Sequence, residues 1–260
     1  MNTYRVMTFN LQTDLPYYFG DQLFKNRFRS ILAIIRYYNP DISGVQELSE
    51  DMLPFLDELN DTYVFYGHAR NKQSAFANER CCILYRKNRF TVLEGETFWL
   101  SSRPSSAGTR ELGSIYPRIA TRLLLKDNET EESFTVCNTH LDHLFPITRR
   151  KQCEDIRDHL QKNGKGLFTV ITGDFNASIA SNALQTLIND PALNIHDVLT
   201  ETSGPTIRIP RLNPLHTGMP IDHILISRSL HVIQAAIIKG RSMGVYPSDH
   251  YPVLCTFQSM

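Results

Sequence analysis

Residues 167–176 have the sequence LFTVITGDFN, in which an apolar and β-branched run gives way to polar residues. The run predicts a buried strand over 167–173, with Asp174 and Asn176 just beyond its end. A carboxylate in such a place is by itself more typical of a turn or a helix cap than of a catalytic site. The rest of the chain helps to decide between a turn and a catalytic site, because other predicted strands also end next to polar residues.

Other strand-like runs of this chain also stand next to polar clusters. These runs are rich in β-branched and aromatic residues. They lie at 4–10, 41–46, 81–86, 118–126, 134–140, 221–227, 231–238 and 251–257. Strand ends in an α/β sandwich converge on one edge of the fold, where ligands normally bind, so we expect the polar clusters to form one site. Its members are Asn10 in MTFNL, Glu47 in GVQE, Glu79 in NER, His140 in NTHLDH, Asp174 and Asn176 in GDFN, Asp222 in IDHI, and Asp249 and His250 in SDHYPV.

Helical patterns separate the early strands. Apolar residues spaced by three and four predict a helix over 21–38, which ends at an Asn-Pro pair. Ser49 can cap a second helix, a third is expected over 147–162, and Ser181 opens a fourth. Strands and helices alternate early, and strands follow one another directly late. This order predicts mixed sheets with helices outside them.

The composition limits the size and the class of the protein. The chain has 260 residues, 42% of them apolar, which is enough for one sizeable core, and we expect a single domain over 1–260. Acidic and basic residues balance at 27 each, so the electrostatic footprint of a dedicated nucleic-acid or membrane binder is missing. An enzyme that concentrates positive charge in one cleft can still act on nucleic acid.

Neither the cysteines nor the N-terminus indicates secretion. The five cysteines are odd in number and form no CxxC pair, which favours buried, reduced thiols over disulfides or a zinc site. The first residues lack the apolar region of a signal peptide, and no apolar run has the length of a membrane span. We expect a cytoplasmic protein without membrane association and without an obligate protein partner.

The carboxylates of the predicted site indicate a metal ion. Like charges that are brought together and partly dehydrated repel one another, and a divalent cation is the natural counter-charge. Oxygen donors favour a hard ion, namely Mg²⁺ or alternatively Mn²⁺. The histidines lack the H-x₃-H and HExxH spacings of zinc sites, so zinc is not expected.

Taken together, the motifs resemble those of a known family. The ordered set TFN…QE…E…THLDH…GDFN…IDHI…SDHYPV spans residues 8–253 and is similar to the exonuclease–endonuclease–phosphatase superfamily, most closely to bacterial members of unassigned substrate. The resemblance implies a four-layer α/β sandwich, in which two mixed β-sheets pack face to face with helices on the outside. It also implies hydrolysis of phosphate esters by a metal-assisted water, without a covalent enzyme intermediate.

The likeness assigns a role to each residue of the predicted site. Glu47 matches the family's principal metal-binding carboxylate, Asn10 lies beside the metal, and Asp249 is a further metal-side ligand. His140 resembles the second active-site histidine of deoxyribonuclease I, with Glu79 as its carboxylate partner. Whether one or two metal ions bind is left open.

Four further residues match the family's catalytic residues. His250 resembles the histidine that contacts the scissile phosphate or positions the attacking water, and Asp222 the aspartate that orients this histidine. Asp174 resembles the residue that activates or aligns the water, and Asn176 one that holds a phosphate oxygen. In-line attack on phosphorus needs an aligned water and neutralised phosphoryl oxygens, which these groups supply.

Substrate contacts are expected from three arginines and one histidine. Arg70, Arg118 and Arg149 occupy places where bacterial relatives also carry arginine, and a guanidinium either clamps a phosphate or forms a structural ion pair. Arg118 is the strongest candidate because it follows a turn-rich loop, 101–117. His143 either touches substrate or caps a turn.

The substrate itself stays open at this point. A phosphodiesterase acting on RNA, DNA or a nucleotide and a phosphomonoesterase acting on a sugar or inositol phosphate are rival interpretations. A non-catalytic module that binds a phosphate ligand on the same fold is an alternative of another class. NKQSAFAN at 71–78, where relatives are Asp-Gly-rich, bears on specificity. The segment 201–220 is turn-rich like 101–117, and long loops in a compact domain are often functional.

Overall fold

The computed structural model describes residues 2–71, 78–208 and 218–259. Within these ranges, twelve strands form two sheets of six. The first sheet consists, from edge to edge, of β11 (His231–Ile237), β12 (Val253–Ser259), β1 (Asn2–Asn10), β2 (Ile42–Leu48), β4 (Arg80–Arg86) and β3 (Tyr63–Tyr66). The second consists of β5 (Phe90–Trp99), β6 (Ile119–Asp127), β7 (Ser133–His140), β8 (Thr169–Asp174), β10 (Asp222–Ser227) and β9 (Ile195–Asp197).

Both sheets are mixed, as the sequence predicts. Each contains one parallel pair, β1 with β2 and β7 with β8. The other pairings are antiparallel. The two halves of the chain thus each build one sheet around a parallel pair, and β10 to β12 complete them from the C-terminal side.

The helices form where periodicity predicts them, with shifted bounds. The described residues contain α1 (Phe24–Tyr38), α2 (Pro146–Asn163), α3 (Asn182–Ile188), and 3₁₀ segments at Gly20–Gln22, Glu50–Leu59 and Glu201–Ser203. α1 starts later than predicted, because Leu23 is extended and separates it from the first 3₁₀ turn. The helix after Ser49 is 3₁₀ rather than α; it contains Pro54, which has no amide hydrogen to donate and disfavours a regular α-helix.

Three apolar clusters stack the elements into four layers. The central cluster, including Tyr4, Val6, Phe134 and Val170, lies between the two sheets. A second packs α1 and the Glu50–Leu59 segment on the outer face of the first sheet. A third packs α2 and α3 on the outer face of the second sheet. The predicted four-layer α/β sandwich is therefore confirmed.

Three strands escape the sequence prediction: β3, β5 and β9. Each is the edge strand of its sheet and pairs with one neighbour. In β5, exposed and half-buried residues alternate, so the run is less apolar than a central strand. β3 and β9 have four and three residues, which is too short for an alternating pattern to stand out.

The sheets approach each other closely near the ends of β2, β7 and β8. A Cβ atom on Gly44 would lie 2.0 Å from Oγ1 of Thr172 and 2.5 Å from Oδ1 of Asn138, so only glycine fits there. Beside it, Gln46 Nε2 donates to Asn138 Oδ1 at 2.6 Å, and Asn138 Nδ2 donates to the carbonyl of Val45 at 2.9 Å. These bonds lock the strand that carries Glu47 to the strand that carries His140.

Several other expectations concern burial and loops. All five cysteines are buried and none forms a disulfide, as predicted. In the described part of the chain, no helix is both long and apolar enough to cross a membrane. The loop 101–117 contains turns and no strand or helix. Residues 209–217 of the second predicted loop, and 72–77 of NKQSAFAN, lie outside the described residues.

Candidate active site

The predicted site residues meet at one end of the two sheets. Asn10, His140 and Asp174 are the last residues of β1, β7 and β8. Asp222 instead begins β10, whose antiparallel register sets it directly opposite Asp174. His250 likewise precedes β12, which runs antiparallel to β1. The site is therefore formed by residues that end some strands and by residues at the start of strands that run in the opposite direction.

Asp174 lies at the centre of this group. Its Oδ2 accepts a hydrogen bond from Asn10 Nδ2 at 3.0 Å and lies 3.5 Å from His140 Nε2 and 3.7 Å from His250 Nε2. Its Oδ1 accepts from the backbone N–H of Asn176 at 2.9 Å. Burial, reinforced by the charge of Asp222, raises the pKa of Asp174 to about 7. A buried carboxyl with such a pKa can both hold and release a proton near neutral pH.

His250 is oriented by Asp222. The distance from His250 Nδ1 to Asp222 Oδ2 is 2.9 Å, so Nε2 is the ring nitrogen that faces Asp174. Burial by itself would lower the pKa of His250, but the carboxylates of Asp222 and Asp174 outweigh it and hold this pKa well above its ordinary value. The buried ring is therefore a cation at neutral pH.

The residues expected beside a metal share one side of the site. Glu47 Oε1 accepts from Asn10 Nδ2 at 2.9 Å, and Oε2 accepts from the backbone N–H of Thr13 at 2.9 Å. Burial raises the pKa of Asp249, and the charge of Glu47 raises it further. Potential ligand atoms of Glu47, His140 and Asp174 lie within 4.8 Å of one another. Two mutually repelling, half-buried carboxylates and a buried amide fit a hard divalent cation.

An unusual backbone aims Glu47 into the site. Its φ angle is +58°, in the left-handed region, and the register between β2 and β4 shifts between Val45 and Leu48. Such a bulge redirects a side chain from the sheet face. Asn176 also has a positive φ angle, +50°. Left-handed backbone at non-glycine residues is costly and concentrates at functional sites.

Glu79 does not have the predicted partner. Its Oε1 forms an ion pair with Arg70 Nη2 at 2.9 Å, and both side chains are buried. His140 Nδ1 has no hydrogen-bond partner in the described part of the chain. Burial raises the pKa of Glu79 to about 7, although Arg70 opposes the shift. The prediction that Glu79 orients His140 is therefore wrong, because Arg70 competes for the same carboxylate.

Arg118 and His143 lie together on the wall of the site. Arg118 Nη2 is 3.0 Å from His143 Nδ1, and the arginine is buried, with 4% of its surface exposed. Burial, together with the charges of Arg118 and Arg70, holds the pKa of His140 well below its ordinary value. His140 is thus a neutral imidazole, whereas His250 is charged.

The residues enclose a cavity of about 440 Å³. Predicted residues that line it include Glu47, Asp174, Asn176, Asp249 and His250. Arg70, Glu79, Arg118, His140 and His143 line it as well, together with residues the sequence did not single out: Gln12, Thr13, Leu15, Pro16, Tyr17, Tyr18 and Tyr116.

Arg149 is not among the residues that line this cavity. It lines a neighbouring cavity of about 390 Å³, and its Nη1 donates to the carbonyl of Asp142 at 3.0 Å. Asn176 lines both cavities. Arg149 therefore lines the neighbouring cavity, and its contact with phosphate stays a prediction.

Two buried residues that the sequence analysis did not identify, Arg27 and His223, hold backbone segments next to the site residues. Arg27 of α1 donates to the carbonyls of Gln12 and Pro247, and so ties the chain after β1 to the turn before Asp249. The sequence signal that could have identified Arg27 was its place among the apolar residues of the predicted helix. His223 bonds Asp197 Oδ2 through Nδ1 at 2.5 Å and the carbonyl of Ala177 through Nε2 at 2.9 Å, next to Asn176.

Known proteins share both the sequence pattern and the fold. The family model described as Endonuclease/Exonuclease/phosphatase family matches residues 7–250. An endonuclease/exonuclease/phosphatase from Bacteroides vulgatus is 26% identical with a TM-score of 0.88, over 100% of both chains. A mannosyl-6-phosphatase from Bacteroides thetaiotaomicron has the same fold, with 23% identity and a TM-score of 0.81 over 98% of this chain and 99% of its own.

A curated relative matches part of the chain. Protein angel from Drosophila melanogaster is 26% identical over 172 residues, which is 63% of this chain and 47% of that protein. The match thus spans about half the length of this relative.

Proposed function

Because the chain belongs to the endonuclease/exonuclease/phosphatase family of phosphoester hydrolases, we propose that it hydrolyses a phosphate ester with the help of a divalent cation, Mg²⁺ or Mn²⁺. The observation that carries this proposal is the group formed by Asp174, Asn10, Glu47 and the Asp222–His250 pair at one end of the cavity. Charges of this kind, buried together, are costly to the fold. Phosphoryl transfer needs such charges to bind the cation, to align the attacking water and to offset the negative charge of the phosphoryl oxygens.

Oxygen donors on one side of the cavity would hold the cation. Glu47 and Asp249 supply carboxylates, and Asn10 supplies an amide beside them. A bound Mg²⁺ or Mn²⁺ lowers the pKa of a water and offsets negative charge on phosphoryl oxygens. Burial raises the pKa of Asp249, and a cation bound beside it would stabilise the ionised carboxylate.

The remaining residues act on the water and on the phosphate. Asp174 accepts the proton of the attacking water, for which its pKa of about 7 is suited. The charged Nε2–H of His250 donates to a non-bridging phosphoryl oxygen, while Asp222 keeps the ring oriented. Asn176 Nδ2 donates one hydrogen to the carbonyl of Leu141 and has a second for a phosphoryl oxygen. As the water oxygen bonds to phosphorus, the ester P–O bond breaks.

Removal of divalent cations is expected to abolish hydrolysis. The assay uses p-nitrophenyl phosphate, bis-p-nitrophenyl phosphate, sugar phosphates, and short RNA and DNA, after prolonged dialysis against chelator. Activity should return with Mg²⁺ or Mn²⁺ because the oxygen donors of Glu47 and Asp249 suit hard ions. Undiminished activity in excess chelator contradicts the metal requirement. Phosphate binding without turnover of any ester supports a non-catalytic module instead.

Glu47→Gln is expected to lower kcat by about 10²-fold or more, as for loss of one key electrostatic group. The substitution keeps the shape of the side chain but removes the charge that holds the cation. The rate and the Mg²⁺ concentration for half-maximal activity should both be measured. Glu58→Gln is the control, because Glu58 pairs with Arg36 at the surface, where both side chains are largely exposed. A rate near that of the wild type at saturating Mg²⁺ would falsify the assignment.

A further inference from the structure

Arg118 is a buried cation that forms no ion pair with any carboxylate of the described residues, although the charges of Glu79, Asp142 and Asp174 act on it from a distance. Its Nε and Nη1 have no hydrogen-bond partner, and no carboxylate within the described ranges forms an ion pair with it. Burial, with the nearby charge of Arg70, lowers its pKa. A buried charge that lacks a counter-charge is costly, so the site favours an anion that brings one.

Two other buried arginines, Arg70 and Arg122, do have carboxylate partners. Arg70 pairs with Glu79 at 2.9 Å, and Arg122 of β6 pairs with Glu94 at 2.9 Å and Glu96 at 3.2 Å. Because Glu79 forms its ion pair with Arg70, it is not free to form one with Arg118. Arg118 therefore presents a guanidinium in the cavity lining with which an anionic ligand can pair directly.

His143 adds a neutral donor to this wall. A guanidinium has donors and no acceptor, so the 3.0 Å contact requires His143 Nδ1 to accept from Arg118 Nη2. The proton of the neutral ring then resides on Nε2. His143 lines the same cavity, half-buried, and its lowered pKa, caused first by burial and then by Arg118, agrees with a neutral ring.

The cavity thus has two pairs of donors. His250 and Asn176 lie beside Asp174, and Arg118 and His143 form a second pair of donors that lines the same cavity. A phosphate diester has two non-bridging oxygens and one negative charge. A phosphate monoester has three such oxygens and carries about two charges at neutral pH, since its second pKa is about 6. Only the monoester supplies an anionic oxygen to both pairs and to the cation together.

We propose that the substrate is a phosphate monoester, and that Arg118, with His143, binds the third oxygen of its terminal phosphate. This inference rests on the proposed phosphoester hydrolysis and narrows its substrate class. In a diester, the second ester group would take the place of that oxygen and leave the buried guanidinium unpaired. A site discriminates strongly against a ligand that leaves one of the site's buried polar groups without a partner.

The test compares kcat/KM for p-nitrophenyl phosphate and bis-p-nitrophenyl phosphate in the Mg²⁺-loaded protein. The wild type should prefer the monoester, and Arg118→Gln should reduce the monoester-to-diester ratio by about tenfold or more. Arg118→Lys should give an intermediate ratio, because it keeps the charge and loses the planar fork. The ratio is independent of the fraction of folded enzyme, so partial instability of a variant does not disturb it.

Arg122→Gln is the matched control. It removes an equally buried arginine from β6, and its ion pairs lie with Glu94 and Glu96 outside the cavity. It should lower stability and leave the ratio unchanged. Should Arg118→Gln fail to fold, inhibition of the wild type by inorganic phosphate and by dimethyl phosphate provides the second measurement, in which inorganic phosphate should bind about tenfold or more tightly.

The outcomes separate the two proposals. A wild type that prefers the diester, or that phosphate and dimethyl phosphate inhibit equally, overturns the monoester inference and leaves phosphoester hydrolysis intact. Absence of turnover with either ester and with the wider panel overturns the proposed function itself. Hydrolysis of a hexose phosphate, a nucleoside monophosphate or a terminal phosphate on short RNA supports the inference and identifies which alcohol carries the phosphate.

Discussion

Asp174→Asn is expected to lower kcat by about 10³-fold, within the range of roughly 10² to 10⁴ typical of a lost general base. This corresponds to about 4 kcal/mol in the activation free energy. Asparagine has nearly the shape of aspartate and can still accept a hydrogen bond from Asn10, but it cannot take a proton from water. The carboxylate also faces both His140 and His250, so its loss disturbs the charge balance of the cavity.

The measurement is single-turnover hydrolysis at saturating substrate and Mg²⁺, so that product release does not hide the chemical step. Asp127→Asn is a matched control, since Asp127 is a buried aspartate at the far end of β6 and pairs with Arg89 at 3.1 Å. The control should reduce stability and keep kcat. Retention of more than a tenth of the wild-type rate by Asp174→Asn would exclude the role in proton transfer.

Asp222→Asn and His250→Ala are expected to show strong non-additivity. The two residues share a 2.9 Å hydrogen bond, and in the proposed mechanism they act on the phosphate as one unit. We expect about 10³-fold loss for His250→Ala, about 10²-fold for Asp222→Asn, and little further loss in the double variant than in His250→Ala. His159→Ala, which removes a histidine bonded to Glu96 outside the cavity, should leave kcat unchanged. Losses that simply multiply would contradict the pairing.

The pH–rate profile of Asp222→Asn gives an independent readout. The carboxylates of Asp222 and Asp174 raise the pKa of His250 against the opposing effect of burial, so the charged ring persists to higher pH. Removing the charge of Asp222 lowers this pKa, and the ring loses its proton sooner. The basic limb should therefore shift to lower pH while metal affinity is kept. An unchanged basic limb in Asp222→Asn argues against His250 as the charged group.

The polar residues at strand ends could be identified from the amino-acid sequence alone. A strand such as 167–173 is visible because its apolar, β-branched run is contiguous, and GDFN follows it directly. The order of such runs then predicts mixed sheets with outer helices. This local information, with the family resemblance that its motifs carry, was sufficient for the four-layer fold and for most of the charged residues that line the cavity.

Three of the four edge strands, and the choice of partners, were beyond the reach of local patterns, whereas the edge strand β11 was predicted. β5 was missed because exposed and half-buried residues alternate along much of it. Glu79 was assigned to His140, but Arg70, nine residues earlier, takes its carboxylate at 2.9 Å. Nothing in the local sequence ranks these two partners. The choice follows from the antiparallel bridge between Ala69 and Arg80 and from the bond of the Arg70 N–H to the carbonyl of Glu79, which place Arg70 beside Glu79.

The sequence by itself therefore determined the elements, their order and the chemical groups that come to the site, because hydrophobic periodicity and turn chemistry act over a few residues. Only the tertiary structure decided how those groups pair. The left-handed backbone of Glu47, the close approach of the sheets at Gly44 and the unpaired guanidinium of Arg118 all depend on strand register and sheet packing. Strand register and sheet packing are set by contacts between residues far apart in the chain. These contacts form only when the core forms, so a local stretch of sequence does not show them.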